Sequence, residues 1–287
     1  MLIKEITNKE QEFPQTLKII PHPPKKIYAL GNTKLLSTPC LAIVGSRKCT
    51  SYGEKMALHF AQQLSQYNLT IVSGLALGID SFAHQGALQA GGKTIAVLPS
   101  GINKIYPEEN KSLVINILRQ NGLILSEYAP SETIKSEYFL ARNRIVCGLS
   151  LGTLIIEGAY RSGTSVTAKQ TKEQGKPIFC LPSSLENPKG YTPNHLIQQG
   201  NQLIMKVEDI IHQFPDHHFT KYKPMQKEKR RKRKEDKLLN WIGNNPIHIN
   251  ELAQKEGKKV EELSYPLMKL ILAGKIQELP GKNFIRR

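Results

Sequence analysis

Residues 70–98 read TIVSGLALGIDSFAHQGALQAGGKTIAVL. The β-branched run Thr70–Ser73 predicts a buried strand, the segment Ser81–Gln89 has helical spacing, and the apolar run Thr94–Leu98 predicts a second strand. A strand, a helix and a strand in this order are typical of a βαβ unit with parallel strands. This unit fixes the fold class, because the same pattern continues on both sides of it.

Short apolar runs of the same kind recur across residues 41–206, with helical patterns between them. They are Leu41–Val44, Thr70–Ser73, Thr94–Leu98, Gly122–Ser126, Thr153–Ile156 and Pro177–Leu181. Their nearly continuous apolar character is expected of strands that helices cover on both faces. We therefore predict an α/β fold built on a doubly wound, mostly parallel sheet.

The remaining segments predict how the chain is divided. Prolines around residues 13–24 predict an irregular N-terminal lead-in that packs on the sheet domain. Apolar periodicity disappears near residue 216, and Lys227–Lys234 reads KEKRRKRK, which favours a charged tether over a nuclear import signal. The predicted parts are a lead-in over residues 1–40, a sheet domain over 41–215, a basic linker over 216–237 and a small domain over 238–287.

The small domain has the pattern of three helices followed by a hairpin. Its third helix is predicted over Pro266–Leu272 with Gly274 as its stop, and Pro280-Gly281 forms the hairpin turn. This order is typical of a winged helix. Residues 238–287 carry 8 Lys and Arg against 5 Asp and Glu, so contact with a protein is as plausible as contact with DNA.

The charge balance points to a polyanionic partner. The chain has 40 Lys and Arg against 24 Asp and Glu, a formal net charge of +16, and residues 221–287 hold +10 of it. No run of about 18 apolar residues and no signal pattern occurs, so we expect a cytoplasmic protein without a membrane partner. The widely spaced cysteines predict reduced thiols, no metal site and no cofactor.

Ligands of doubly wound sheets bind beyond the carboxyl ends of the strands. Gly45, Ser46 and Arg47 follow the first strand of the predicted parallel sheet, where a glycine turn, a hydroxyl and a guanidinium suit a phosphate. An ordinary turn between strand and helix is the alternative. Ser73–Gly78 follows the next strand and is also rich in glycine, so these residues converge on one edge.

Two further segments combine an aromatic, cations and hydroxyls. Phe139 can stack on a base, Arg142 and Arg144 can pair with phosphates, and the turn at Ser162, Gly163 and Thr164 can present backbone N–H groups to an anion. We place the cations of residues 139–146 on exposed positions at strand ends. The alternative is the start of a strand with solvated arginines.

Two other patterns have structural explanations. Residues 87–94 match a relaxed phosphate-loop pattern, but a helix precedes them and a strand follows, so we predict a helix end with Gly91-Gly92 as the turn. Asp80 and His84 share one helix face, where the histidine could act as acid or base. We favour a structural role for both, with Asp80 as the helix N-cap.

Several motifs occur together in one known family. They are Ile43-Val-Gly-Ser-Arg47, Ser73-Gly-Leu-Ala-Leu-Gly-Ile-Asp80 with His84, Gly92-Lys-Thr-Ile-Ala-Val-Leu98, Tyr106-Pro107, Ser126-Glu127, Arg142-Asn-Arg-Ile145 and Ser162-Gly-Thr164 with Thr167-Ala168. The combination resembles the bacterial DNA-processing protein A (DprA/Smf) family. The resemblance covers about residues 13–206 and the last fifty residues.

The resemblance implies an extended Rossmann-like domain and a small winged-helix domain. It also implies binding of single-stranded DNA during natural transformation, delivery of that DNA to the RecA recombinase, and homodimers formed through the Rossmann domain, without catalysis. Carried over by residue, the implied DNA contacts are Gly45, Ser46, Arg47, Phe139, Arg142, Asn143, Arg144, Ser162, Gly163 and Thr164.

An enzyme is the alternative, since the Rossmann domain is also similar to lysine-decarboxylase-like phosphoribohydrolases. Their Gly-Thr motif is followed three residues later by a catalytic glutamate. Here Gly163-Thr164 is followed by Thr167, which cannot act as a general acid or base at neutral pH. Glu157 could substitute in principle, but it ends a strand before the turn.

Overall fold

The computed structural model describes residues 2–214, residue 219 and residues 238–286 of the chain. Its contacts divide the chain into two units, Met1–Tyr222 and Lys223–Arg287. Most of the basic linker predicted over residues 216–237 lies outside the described residues, and its character stays a prediction.

A nine-stranded sheet forms the centre of the larger unit. In spatial order its strands are β1 (Lys4–Thr7), β2 (Lys26–Gly31), β6 (Leu123–Ser126), β5 (Thr94–Leu98), β4 (Thr70–Ser73), β3 (Cys40–Val44), β7 (Thr153–Ile155), β8 (Ile178–Cys180) and β9 (Gln202–Leu203). All neighbours from β6 to β9 are parallel. The six predicted runs are all strands of this sheet, and the prediction of a mostly parallel α/β fold is confirmed.

Helices connect the strands and cover both faces of the sheet. They are α1 (Gln15–Lys18), α2 (Ser51–Ser65), α3 (Ile79–Gln89), α4 (Lys111–Arg119), α5 (Ser136–Leu149), α6 (Gly163–Glu173), α7 (Tyr191–Gln198) and α8 (Glu208–Ile211), with 3-10 turns at Thr33–Ser37, Glu108–Asn110 and Pro188–Gly190. Because side chains alternate along a strand, Leu41 and Ile43 belong to one core cluster with Phe60 of α2, whereas Val44 belongs to another with Ala168 of α6. The connections after β3 and β7 therefore lie on opposite faces of the sheet.

The N-terminal segment is more regular than its prolines suggested. The prediction of an irregular lead-in over residues 1–40 is wrong, because β1 and β2 extend the sheet by two antiparallel strands. Pro21, Pro23 and Pro24 all precede β2, so they shape the turn before the strand and leave its hydrogen bonds intact. Ile27 and Ala29 of β2 are buried in the core.

The smaller unit has the predicted order of helices and hairpin. Residues 238–241 are helical (α9), followed by β10 (Ile247–His248), α10 (Ile249–Glu256), α11 (Val260–Leu272), β11 (Ile276–Leu279) and β12 (Asn283–Arg286). The prediction that the third helix begins at Pro266 is wrong, since this proline lies inside α11. The backbone N–H of Lys259 donates to the Glu262 carboxylate, which supports the earlier start.

The described residues contain neither a membrane-spanning helix nor a metal-binding cluster. No helix among them is long and apolar enough to cross a membrane. Within those residues, no group of His, Cys, Asp and Glu side chains has an arrangement that could hold a metal ion. All four cysteines are free thiols, and Cys40, Cys147 and Cys180 are buried, as predicted.

Candidate nucleic-acid site

A pocket of about 430 Å³ opens beyond the carboxyl ends of β3, β4 and β7. This is the point where the connections after β3 and β7 leave on opposite faces, the usual ligand position in such sheets. The volume lies within the range of about 300–1,000 Å³ that is typical of small-molecule pockets. Nine of the ten predicted site residues line it: Gly45, Ser46, Arg47, Phe139, Arg142, Asn143, Ser162, Gly163 and Thr164.

Arg47 and Phe139 form one side of the pocket. Arg47 follows β3 and is exposed, whereas Phe139 is half-buried on the first turns of α5. The guanidinium carbon lies 4.7 Å from the centre of the phenyl ring, within cation–π distance. Tyr106 packs against the other edge of the ring at 5.7 Å between centroids. The phenyl ring is therefore held in place beside an exposed cation.

Arg142 has a different environment from the predicted one. The predictions of an exposed cation at a strand end and of a strand start are both wrong, because residues 136–149 form a helix and only 4% of Arg142 is exposed. Its guanidinium donates to the backbone oxygens of Gly74 and Val97. Burial lowers the pKa of Arg142 to about 10, and the Asp80 carboxylate opposes this shift. Arg142 thus supplies a fixed positive charge at the base of the pocket.

A short chain of hydrogen bonds joins α5 to the start of α6. The Arg142 Nε donates to the Asn143 side-chain oxygen at 3.1 Å, and the Asn143 amide donates to the Thr167 hydroxyl at 3.0 Å. That hydroxyl donates to the carbonyl of Gly163 at 3.2 Å. Asn143 and Thr167 therefore fix the first turn of α6 relative to Arg142.

The first turn of α6 faces the pocket. Ser162 is its N-cap residue, and the side chain makes no capping hydrogen bond. The first N–H groups of a helix have no partner within the helix, and they carry a partial positive charge. Gly163 is exposed, and a Cβ added to it would meet nothing within 4 Å. An anion can therefore approach the backbone here without obstruction.

Arg144 lies away from this pocket. Its guanidinium donates to both oxygens of Glu127 at 2.6 Å, and the two side chains are 16% and 22% exposed. The Arg144 Nη2 makes both hydrogen bonds, and Glu127 neutralises the charge of the guanidinium. The helical spacing explains the difference, since Arg142 and Arg144 are two residues apart on α5 and point to different sides. A DNA contact by Arg144 stays a prediction.

Asp80 and His84 are both buried on α3. Asp80 is not the N-cap, which is Gly78; its carboxylate accepts a hydrogen bond from the Gly74 N–H at 3.1 Å and supports the loop after β4. Burial raises the pKa of Asp80, and the Arg142 charge opposes this effect. Asp80 also lines the pocket, a role that the sequence did not reveal because it depends on burial.

His84 does not line the pocket and is held as a neutral side chain. The Thr94 hydroxyl donates to the carbonyl of Ile71 at 2.7 Å, so the His84 Nδ1–H must donate to that hydroxyl at 2.6 Å. Burial lowers the pKa of His84 to about 3. Asp80 and His84 therefore both have structural hydrogen-bond partners. The segment at Gly91-Gly92 is the predicted end of α3.

Glu157 is also separate from the pocket. It is fully buried, and its carboxylate accepts hydrogen bonds from the Thr50 N–H at 2.9 Å and from the Asn187 amide at 3.2 Å. Thr50 is the N-cap of α2, so Glu157 supports the start of that helix. Both oxygens of Glu157 therefore accept hydrogen bonds from structural partners. Among the described residues that line the pocket, Asp80 is the acidic one.

Two family models match this chain. The family model described as DNA recombination-mediator protein A matches residues 4–215, and the DprA winged helix domain matches residues 223–282. The chain belongs to the DNA recombination-mediator protein A family. The second match confirms the predicted winged-helix domain, and the resemblance drawn from the motifs is confirmed.

Several curated members of the DNA recombination-mediator protein A family are similar over most of the chain. Protein Smf of Escherichia coli is 36% identical over 277 residues, which cover 94% of this chain and 74% of the relative. DNA processing protein DprA of Bacillus subtilis is 38% identical over 215 residues, which cover 75% of this chain and 72% of the relative.

Two solved structures of the family have the same fold. DNA processing protein A from Streptococcus pneumoniae has a TM-score of 0.70 at 38% identity and covers 73% of this chain and 74% of its own. DNA processing protein A from Helicobacter pylori has a TM-score of 0.66 at 36% identity, and the match covers 75% of this chain and 96% of that protein. Its structure is described as giving insight into a unique single-stranded DNA binding mode.

Proposed function

We propose that this protein binds single-stranded DNA in the pocket beyond β3, β4 and β7. The observation that carries the proposal is the Arg47–Phe139 pair, which places an exposed cation and an aromatic face next to the open start of α6. An aromatic face can stack on a base, while a guanidinium and backbone N–H groups bind phosphate. The binding mode described for the Helicobacter pylori relative supports the same partner.

Single strands fit this site better than duplex DNA does. Bases of a duplex are stacked on each other, so a face such as that of Phe139 can reach them only in an unpaired strand. The pocket lies at a sheet edge among loops and the start of α6, and no described helix projects from it as a reader of the major groove.

The wider role that we propose is protection of incoming DNA and loading of the RecA recombinase in natural transformation. The family description as a recombination mediator supports this role. We further propose a homodimer through the sheet domain, action in the cytoplasm where RecA works, and no catalysis. The last point is supported by the sequence position of Thr167, three residues after Gly163-Thr164, where the phosphoribohydrolase motif has its glutamate. The structural partners of Glu157 also support it.

The test is a binding assay over a range of salt concentrations with single-stranded and duplex DNA of the same sequence. We expect a preference for the single strand at about 150 mM salt. Arg47→Ala should weaken binding and reduce the salt slope by about one contact. Arg119→Ala is the matched control, because Arg119 is exposed at the end of α4, just before the amino end of β6.

Equal affinity for duplex would contradict the proposal, and so would an Arg47→Ala variant that binds like its Arg119→Ala control. The enzymatic alternative has its own assay, the release of ribose 5-phosphate from nucleoside monophosphates. Release by the parent protein would support that alternative, in which Asp80 is the carboxylate of the pocket lining.

A further inference from the structure

Two tyrosines stand exposed beside the pocket, on the side of α6. Tyr160 is 60% exposed on the loop before α6, and Tyr191 is 43% exposed at the start of α7. Their rings meet edge to face at 4.9 Å between centroids, and the guanidinium of Arg161 lies 5.1 Å from the Tyr160 ring. We call Tyr160, Arg161 and Tyr191 the tyrosine platform.

The tyrosine platform continues directly from the pocket. Tyr160 and Arg161 lie between Ala159 and Ser162, and both of these flanking residues line the pocket. Arg161 has a φ of 51°, a left-handed conformation that is uncommon outside glycine and that clusters at functional sites. The loop therefore turns sharply and places the two side chains outside the pocket wall.

Hydrogen bonds hold the platform at a fixed position relative to the pocket. Thr192, the residue after Tyr191, donates its N–H to the Gly158 carbonyl and its hydroxyl to the Ala159 carbonyl, both at 2.8 Å. The Gly158 N–H donates to the Lys189 carbonyl. The two loops that carry the tyrosines are thus joined through buried residues, and the exposed rings have a rigid base.

The arrangement repeats the chemistry of the Arg47–Phe139 pair. In both places an exposed guanidinium lies within about 6 Å of an aromatic ring centre, at the edge of the same pocket. We propose that the tyrosine platform is a second stacking subsite for single-stranded nucleic acid, which receives a nucleotide next to the one held in the pocket. The inference rests on the proposed function, because the strand must first enter the pocket.

The charge of the platform favours a polyanionic strand as the occupant. Arg161 is exposed and has no carboxylate partner among the described ion pairs, so it remains available to a phosphate. His195 stacks on one face of Tyr191, with 5.5 Å between the ring centroids. The exposed parts of the Tyr160 and Tyr191 rings lie at a wet surface, where aromatic residues bind bases with little sequence preference. The strand would then run from Arg47 and Phe139 across the pocket to the platform.

The first test compares oligothymidylate with a strand of equal length whose residues are abasic. Tyr160→Ala and Tyr191→Ala should each weaken binding of oligothymidylate by roughly 5- to 140-fold, the range for one stacked base. Neither should change the affinity for the abasic strand, which has phosphates and no bases. Tyr160→Phe should bind like the parent, because the ring is retained. Tyr265→Ala is the matched control, since Tyr265 is 70% exposed in the smaller unit.

The second test locates the base directly. Photocrosslinking of strands that contain 5-iododeoxyuridine should give adducts on Tyr160 or Tyr191 in addition to adducts on Phe139. Adducts on Phe139 alone, together with full affinity of the Tyr160→Ala variant, would overturn the platform and leave the proposed function standing. A parent protein that binds no single-stranded DNA would overturn the proposed function first. If the Tyr160→Ala or Tyr191→Ala variant has an altered sedimentation coefficient and unchanged DNA affinity, the platform is a contact between subunits. That result would also overturn the inference.

Discussion

The guanidinium carbon of Arg47 lies 4.7 Å from the ring centre of Phe139, although 92 positions separate the two residues in the sequence. Arg47 extends from the loop after β3, and Phe139 extends from α5, which covers one face of the sheet. The contact restricts both side chains before any ligand arrives. A preorganised pair of this kind loses less conformational entropy on binding than two free side chains do.

The Arg47–Phe139 pair should behave as one unit in binding. We expect Arg47→Ala and Phe139→Ala each to weaken single-strand affinity, with about 1–3 kcal/mol lost for the aromatic ring. The double variant should lose less than the sum of the two, because each single change already disturbs the partner. A double-mutant cycle from anisotropy titrations measures this coupling. Strict additivity would mean that the two side chains act independently on the DNA.

Arg142 should contribute more to stability than to a direct DNA contact. Arg142→Ala leaves the carbonyls of Gly74 and Val97 and the buried Asp80 carboxylate without their cation. Breaking a buried charged arrangement of this kind typically costs about 3–5 kcal/mol. Urea unfolding of the variant against Arg119→Ala checks the prediction. Equal unfolding free energies for the two variants would show that Arg142 is held only loosely.

The sequence predicted the residues of the pocket better than their roles. Motif positions indicated which residues meet at the sheet edge, because parallel strands all end at the same edge. The roles depend on which side of α5 each residue occupies and on how deeply it is buried. Arg142 and Arg144 are two residues apart, yet one lies under the pocket and the other pairs with Glu127. Helical spacing predicts that the two side chains point to different sides of α5, but it does not show which of them is buried or that Glu127 is a partner.

Gly163 offers a test of how closely DNA approaches the backbone. A Cβ at Gly163 meets nothing within 4 Å, so Gly163→Ala should fold normally and gain up to about 1 kcal/mol of helix propensity. Binding should nevertheless weaken if a phosphate contacts the N–H groups at the start of α6. Gly243→Ala is the matched control, since Gly243 is equally open and lies in the smaller unit. Thermal unfolding and DNA titration together separate the two effects, and unchanged affinity would place the phosphate elsewhere.

The N-terminal prediction located the turns and missed the strands, because proline is only a local signal. Proline marks turns reliably, but it does not show whether a strand follows the turn. Lys26–Gly31 pairs with β6, a strand about a hundred residues away, and such long-range pairing leaves no local signal. In the smaller unit, α11 begins six residues before Pro266 for a comparable reason, since packing of the whole helix outweighs one unfavourable residue.

His84 predicts a specific loss of stability in acid. Its pKa is about 3 in the folded protein and about 6.5 in the unfolded chain, where the imidazole is in water. Below pH 6.5 the unfolded chain binds a proton that the folded protein does not. Stability is therefore complete above pH 6.5 and falls by about 1.4 kcal/mol per pH unit as the pH decreases toward 3. His84→Gln should lack this component, as urea unfolding at pH 7 and pH 5 can measure; an identical pH dependence in the variant would contradict the assignment.

Deletion of residues 221–287 separates the pocket from the basic C-terminal part of the chain. The deletion removes +10 of the net charge of +16, so affinity should fall and the salt slope should decrease, because fewer counterions are released. All nine predicted site residues that line the pocket belong to the unit Met1–Tyr222, and we expect the shortened protein to stay folded and to keep its preference for single strands. Phe139→Ala in that background should lower affinity by about 1–3 kcal/mol without a further change of the slope, because the ring carries no charge.

Circular dichroism establishes whether the shortened protein is folded, and salt titrations measure its affinity and its salt slope. A folded, shortened protein that binds no single strand would assign the DNA site to residues 221–287 instead of the pocket.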